Sequence, residues 1–284
     1  MLPRRPLGKT GVQLSIIGLG GIVVSGMEQS YANRFVRELI DSGINYIDVA
    51  PTYGNAEQVL GIALQGYRDK VFLACKTHKR TKAEAGAELR ESLRRLRTDY
   101  FDLYQLHALS SMRDVERAFA PNGAMEAFVE ARDKGLVRFL GFSAHSVKAG
   151  LAAMERFNFD TILFPINFVL YYRENFGPQV LKRAHEKGVA CLAIKAMARS
   201  KRKPGAKRMF PKCWYQPIYE PHEASLALRW TLSEGVTAVV PPGDERLFRL
   251  ALKIAHQWTP VTDDERKALR ELAKGLEPIF QLDV

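Results

Sequence analysis

The chain alternates short, nearly continuous apolar runs with longer segments whose apolar positions recur at helical spacing. The runs at 16–21 (IIGLGG), 44–50 (INYIDVA), 71–77 (VFLACKT) and 101–107 (FDLYQLH) predict strands. So do 137–143 (VRFLGFS), 161–167 (TILFPIN), 189–195 (VACLAIK) and 236–242 (VTAVVPP). Helices are predicted at 31–42, after Asn55 with Val59, Leu60 and Ile62 as its apolar face, and at 82–97 with its Leu89, Leu93, Leu96 stripe. Further helices are predicted at 124–134, 147–157, 179–187, 222–234 and 245–256, several closed by a glycine.

Eight strand–helix pairs follow one another, and the strands are apolar throughout, as in a parallel sheet buried on both faces. That spacing suits an α/β protein of the (β/α)8 TIM barrel class. The competing open sheet calls for G-x-G-x-x-G after its first strand. Here Gly18, Gly20 and Gly21 are followed by Val23 where a third glycine belongs. Residues 1–15, with a GKTG turn, predict an N-terminal β-hairpin closing the barrel floor. Residues 263–273, capped by Thr262 or Asp263 and ended by Lys274-Gly275, predict one extra C-terminal helix. No composition break divides the chain, so a single domain over 1–284 is expected.

Composition narrows the setting. With 284 residues, 46% hydrophobic and 26% charged, the chain is of ordinary globular type, which excludes dominant disorder. No uncharged apolar run approaches the length of about 18 residues that a transmembrane helix needs. The start, MLPRRPLGKTG, has no apolar h-region, so no secretory signal is expected. Cys75, Cys191 and Cys213 lie far apart without C-x-x-C. That argues for reduced thiols in a cytoplasm, against a disulfide scaffold, and against a metal site. The net charge of +11 attracts anions. Arg199, Lys201, Arg202, Lys203, Lys207 and Arg208 crowd one loop with Pro204 and Gly205, without interleaved aromatics. No specific nucleic-acid partner is expected from it, while a phosphate-facing loop stays open.

In a barrel the carboxyl ends of the strands carry the chemistry. Asp48 ends the second strand with Tyr53 close behind, Lys76 ends the third and His107 the fourth. Singly each has a structural explanation: a loop cap, a packing aromatic, a snorkelling lysine, a core histidine. Together on adjacent strands they make a chemical set, since buried Asp, Lys and His need partners. A lysine beside a tyrosine stabilises the phenolate and lowers a pKa that is ordinarily about 10. A carboxylate keeps the lysine charged and placed, and a histidine can orient a carbonyl oxygen. The set reads as a general acid aimed at a carbonyl, with hydride arriving from the other side. No nucleophile stands beside a base, so acyl transfer is not suggested.

These residues resemble the aldo-keto reductases: Asp48 and Tyr53 in DVAPTYG, Lys76 in ACKT, DLYQLH ending in His107, and GFS at Gly141–Ser143. The likeness runs from about residue 7 to 256, and GFSAH and AIKAMA are similar to a bacterial branch of predicted reductases. It implies a barrel that binds NADPH, with NADH possible, and reversible reduction of aldehydes or ketones. By position it implies Tyr53 as proton donor, Lys76 and Asp48 as its tuners, and His107 as the residue orienting a small-molecule carbonyl substrate. Ser143 and Asn167 would contact the nicotinamide, and Gly20, Gly21 and Asp48 would border the cofactor cleft. Lys195, Met197, Ala198 and Arg199 at strand 7, with Gly243 and Arg246 after strand 8, would hold the phosphates. Arg249 and the basic loop are further candidates for a 2′-phosphate.

Some positions depart from the family pattern. Ala144 and His145 follow Ser143 where many members have an asparagine, and Ile194 offers no ring to stack on the nicotinamide. Related branches carry a cysteine-rich iron–sulfur extension, whereas PIFQLDV has none, and a short tail predicts an open substrate pocket. Met112, Phe119 and Trp214 are candidate apolar walls. Two other functions compete: a nicotinamide-sensing or regulatory barrel, and a Schiff-base enzyme using Lys76 or Lys195. The sequence carries no signal for an oligomeric state.

Overall fold

The computed structural model describes residues 2–202, 205 and 208–282. Lys203, Pro204 and Lys207 of the basic loop lie outside the described residues.

The chain opens with a hairpin, β1 (Arg4–Pro6) and β2 (Gln13–Ser15). There follow β3 (Leu19–Gly20), α1 (Gln29–Asp41), β4 (Tyr46–Asp48), α2 (Ala56–Ala63), β5 (Phe72–Thr77) and α3 (Lys82–Leu96). Next come β6 (Phe101–Leu109), α4 (Met112–Phe119), α5 (Ala124–Asp133), β7 (Val137–Ala144), α6 (Val147–Arg156) and β8 (Thr161–Pro165). Then α7 (Phe168–Glu174), α8 (Pro178–Lys187), β9 (Ala190–Ile194) and a small ladder of β10 (Ala198–Ser200) with β11 (Gln216–Pro217). The chain finishes with α9 (Pro221–Ser233), β12 (Ala238–Val240), α10 (Glu245–His256) and α11 (Asp263–Lys274).

Eight parallel strands run in sequence order from β3 through β9 to β12. The ring closes where Val239 N donates to Ile16 O at 2.8 Å and Gly18 N to Val239 O at 2.9 Å. This is a (β/α)8 barrel. Because strand side chains alternate, one set fills the barrel and the other meets the helices. Inside lie Tyr46, Phe72, Ala74, Leu103, Leu163 and Leu192, together with Leu7 and Leu14 from the hairpin, both fully buried. The hairpin therefore plugs the floor, as its position before the first strand leads one to expect. Gly18 has no tolerance for a side chain, since a Cβ would lie 2.2 Å from the Tyr46 ring that crosses the barrel there.

The helices follow their sequence signals. Helix α11 begins with a full capping box between Thr262 and Glu265 and packs against α7 and α9. Two helices have no counterpart in the sequence reading. The stretch after the fourth barrel strand, expected as a loop, forms α4, because Ser111 accepts from Asp114 N and Val115 and Ala118 bury one face. Helix α7 starts at once after β8, with Asn167 Oδ1 capping Leu170 N. The first and last barrel strands are shorter than their apolar runs, as only Leu19–Gly20 and Ala238–Val240 stay in the ladder. Among the described residues no helix is long and apolar enough to cross a membrane.

Replacing Leu14 by alanine leaves a void in the floor of the barrel and is expected to destabilise the protein by about 2–5 kcal/mol in urea unfolding. A loss below about 0.5 kcal/mol, the scale of a surface substitution, would show that the hairpin is not part of the core.

Candidate active site

The barrel interior turns polar at the carboxyl ends of its strands. Continuing the inward-facing positions one step beyond the apolar layers reaches Asp48 after Tyr46, Lys76 after Ala74, and Gln105 after Leu103. Lys76 is fully buried, and its Nζ pairs with Asp48 Oδ1. Gln105 Nε2 donates to Asp48 Oδ2 at 3.0 Å, and the Tyr46 hydroxyl donates to the same oxygen at 3.3 Å. The Asp48 carboxylate is thus shared by three donors, which offsets the loss of water around it. Burial opposes the charge on Lys76, but Asp48 and the neighbouring Tyr53 outweigh it and hold its pKa above the usual lysine value.

Tyr53 stands on the loop between β4 and α2, with Lys76 Nζ 5.0 Å from its ring centroid. Lysine proximity by itself predicts a lowered phenol pKa. The net direction is upward: burial dominates, Lys76 opposes it, and Asp48 adds to the rise. Tyr53 is consequently a protonated phenol at neutral pH, with a cation beside it that stabilises the phenolate once the proton leaves.

His107 reaches the same space as the next inward position of β6 after Gln105, at the edge of a bulge. The register with β7 shifts between Leu106 and Leu109, and Ala108 takes φ 53°. A bulge of this kind re-aims a side chain at a barrel rim. Ala108 N donates to Ser143 Oγ at 2.7 Å, and Arg80 Nη2 donates to His107 O at 2.7 Å. Tyr53 meets the His107 ring edge-on at 6.0 Å. Burial, then Lys76 and two histidines, hold His107 far below its ordinary pKa, so the ring is neutral.

These groups share one pocket of about 300 Å³. Asp48, Tyr53, His107 and Ser143 line it with Gly20, His145, Ile194, Lys195 and Gly243. A strap of chain around 212–215 covers it, contributing Lys212, Trp214 and Tyr215. Lys212 Nζ fastens the strap across the opening by donating to Val23 O and Ser25 O, both at 2.7 Å. Lys195 has φ 66°, a left-handed conformation that a lysine rarely adopts. Its Nζ lies 5.5 Å from the Trp214 ring and 5.0 Å from the Tyr215 ring, and no ion pair to it is found among the described residues. Burial without a carboxylate pushes its pKa down to about 8. His145 is also neutral, its pKa lowered to about 4 by burial and by Lys195.

Most of the other sequence candidates stand apart from the pocket. Asn167 is spent on the α7 cap and on a bond from Nδ2 to Lys195 O at 3.1 Å. Gly21 packs against Val49, and Met197 and Ala198 are buried. Arg199 pairs with Glu223 beside a separate cavity of about 590 Å³ that Arg202 and Arg208 also line. Arg246 pairs with Asp244, donates to Met209 O and lies over Phe210 in a groove of about 440 Å³. Arg249 is held by Glu38 and Glu245. Trp214 forms pocket wall, whereas Phe119 packs on Phe159. Gln105 and Tyr46 were missed, although the two-residue period that places Asp48 and His107 inside places them inside too. Lys212 and Tyr215 had no sequence signal, since the strap meets residues almost two hundred positions away.

Comparison with known proteins agrees with this fold. The model of the aldo/keto reductase family matches residues 16–274. The chain is 34% identical over 155 residues to the uncharacterized oxidoreductase YqkF of Bacillus subtilis, across 50% of this chain and 48% of that one. It therefore spans about half the length of that relative. It is 30% identical to the NAD/NADP-dependent indole-3-acetaldehyde reductase of Schizosaccharomyces pombe, over 72% of this chain and 71% of the other. Among solved structures, the holo form of aldo-keto reductase AKR11C1 from Bacillus halodurans superposes with a TM-score of 0.77 at 25% identity, covering 98% and 99% of the two chains.

The lone Lys195 cation has a measurable consequence. Its folded-state pKa of about 8 lies below the unfolded lysine value of about 10.4. Below about pH 8 the fold carries the full burden of the buried ammonium, and between about 8 and 10.4 stability rises with pH. Lys195→Met should therefore raise the thermal midpoint of the ligand-free protein at pH 7, and the gain should shrink towards pH 10. A midpoint unchanged at pH 7, or a gain independent of pH, would contradict this account.

Proposed function

The chain belongs to the aldo/keto reductase family, and on that premise we propose that it reduces aldehydes or ketones to alcohols with NADPH, Tyr53 being the general acid. The observation that carries the reading is the Lys76–Asp48 pair buried beside a protonated Tyr53 at the base of one pocket. The residues present suit a dinucleotide. Lys195 is a cation with room for an anion, and Gly20 and Gly243 keep the walls low, since a Cβ on Gly243 would come within 2.6 Å of Ile22. Gly20, Ser143, Lys195 and Gly243 would hold the nicotinamide and phosphate portion. Arg246, in its open groove, would take a 2′-phosphate. Gly21, Asn167, Met197 and Ala198 would act from behind the wall through backbone and packing, and Arg199 through the neighbouring cavity.

The family uses nicotinamide cofactors, and when bound the reduced cofactor supplies the hydride. The protein's own residues manage the proton. His107, neutral, directs a ring nitrogen at the substrate carbonyl oxygen and aligns it. Tyr53 gives its phenolic proton to that oxygen as the carbon is reduced. Lys76 stabilises the phenolate left behind, and Asp48 keeps Lys76 charged. The strap keeps water away from the reacting atoms. In the oxidative direction the same groups run in reverse. A Schiff base at Lys76 is disfavoured, because its amine is held protonated against Asp48. The buried, unpaired cysteines are compatible with a reducing cytoplasm.

Purified protein is expected to oxidise NADPH in the presence of aromatic or short-chain aldehydes. Tyr53→Phe should lower kcat by about 100-fold or more while NADPH still binds. Arg246→Ala should raise the KM for NADPH by about fivefold or more and leave that for NADH unchanged, as loss of a charge-assisted contact requires. Folded protein that neither binds a nicotinamide nucleotide nor turns over any carbonyl would refute the reading.

A further inference from the structure

His78 lies two residues beyond Lys76, just past the end of β5, and has no part in the chemistry described so far. Its ring rests face to face on that of His107, with centroids 3.9 Å apart and planes inclined by 29°. His78 itself is exposed, so it separates His107 from solvent on that side. Tyr53 meets the same imidazole edge-on, at 6.0 Å and 87°. His107 is thereby gripped between a face and an edge. Its Nδ1 is buried and has no hydrogen-bond partner among the described residues. An imidazole that serves a substrate through one nitrogen is ordinarily oriented by a hydrogen bond at the other. Here that bond is missing, and ring packing is what remains to set the plane.

We propose that His78 is a positioning residue whose ring fixes the plane of His107 and roofs it against water, so that the imidazole addresses the carbonyl oxygen. The proposal rests on the reading of His107 as the group that orients that carbonyl. The charged and titratable groups facing His107 are Lys76 from β5, His78 and Arg80 from the segment after it, His145 from the segment after β7, and Tyr53. None is a carboxylate, so no counter-charge favours a protonated His107; solvent water would, and His78 covers one approach. Around His78 stand Arg80, Glu88, Lys76 and Asp114, and the partial desolvation of its ring together with the nearby cations lowers its own pKa, leaving it uncharged at neutral pH.

Steady-state kinetics of His78→Ala, His78→Phe, His107→Gln and the His78→Ala/His107→Gln double variant, using NADPH and an aldehyde that the wild type reduces, test this. NADPH fluorescence gives cofactor affinity in parallel. The alanine variant should lose about three- to tenfold in kcat, the scale of a lost ring pair. Its affinity for NADPH should stay within about twofold, since no cofactor contact is removed. Its rate–pH profile should gain a titration near the ordinary histidine value of about 6.5, as water reaches His107. The phenylalanine variant keeps an aromatic face and should recover most of kcat without that titration. In the double variant, loss of His78 should have no further effect, because nothing is left to position. Wild-type kinetics in His78→Ala, a phenylalanine variant as impaired as alanine, or an undiminished loss on top of His107→Gln would each overturn the proposal. Full activity in His107→Gln would instead remove the role of His107 itself, and the inference with it. That single variant tells the two failures apart.

Discussion

Everything at the mouth of this barrel depends on one ion pair. Lys76 projects into the interior with its ammonium completely removed from solvent. A charge in that position is tolerated only where a counter-charge and further hydrogen bonds replace its water. Asp48 provides the counter-charge and is in turn held by Gln105 and Tyr46. Four side chains from three neighbouring strands are thereby locked to each other, and the locked group forms the surface on which Tyr53 sits. Below it the interior is filled by apolar residues and sealed by Leu7 and Leu14. The rigid lower barrel holds the charged upper layer still.

Exclusion of water acts on every ionisable group in the pocket, and its outcome depends on the partner each one has. Lys76 and Lys195 are both pushed towards neutrality by burial. Lys76, facing Asp48, ends above the usual lysine value, while Lys195, with no carboxylate partner among the described residues, ends at about 8. Burial, helped by nearby lysines, keeps His107 and His145 neutral. Tyr53 keeps its proton because burial prevails over Lys76. The pocket and the buried layer beneath it thus hold a fixed cation, a titratable cation, a proton donor and two neutral imidazoles. These are the states that proton transfer to a carbonyl oxygen requires.

The strands were legible because a parallel sheet covered on both faces needs apolar side chains at consecutive positions, and runs such as VFLACKT and FDLYQLH break only where a polar group faces the mouth. Their ends were less legible. The apolar run at 236–242 continues past Val240, but the ladder does not, since Pro241 and Pro242 have no N–H to donate. Helix α4 went unread because its buried face is two residues, Val115 and Ala118, too few for a periodic signal. Asn167 was visible as a polar residue at a strand end. Its partners, Leu170 N and Lys195 O, belong to elements whose approach no local pattern reports.

By itself the sequence determined the barrel, its floor hairpin, its last helix, and the quartet Asp48, Tyr53, Lys76 and His107, because period and chemistry are written residue by residue. Tertiary structure decided what distance alone could not convey. The strap reaches the pocket only because Lys212 finds two carbonyls on the far side of the mouth. The phenol of Tyr53 rises rather than falls because burial is a property of everything packed around it. His78 comes to rest on His107 because β5 and β6 are neighbouring strands. Contacts of this kind join positions far apart in the chain, and their energies depend on solvent exclusion that exists only once the barrel is closed.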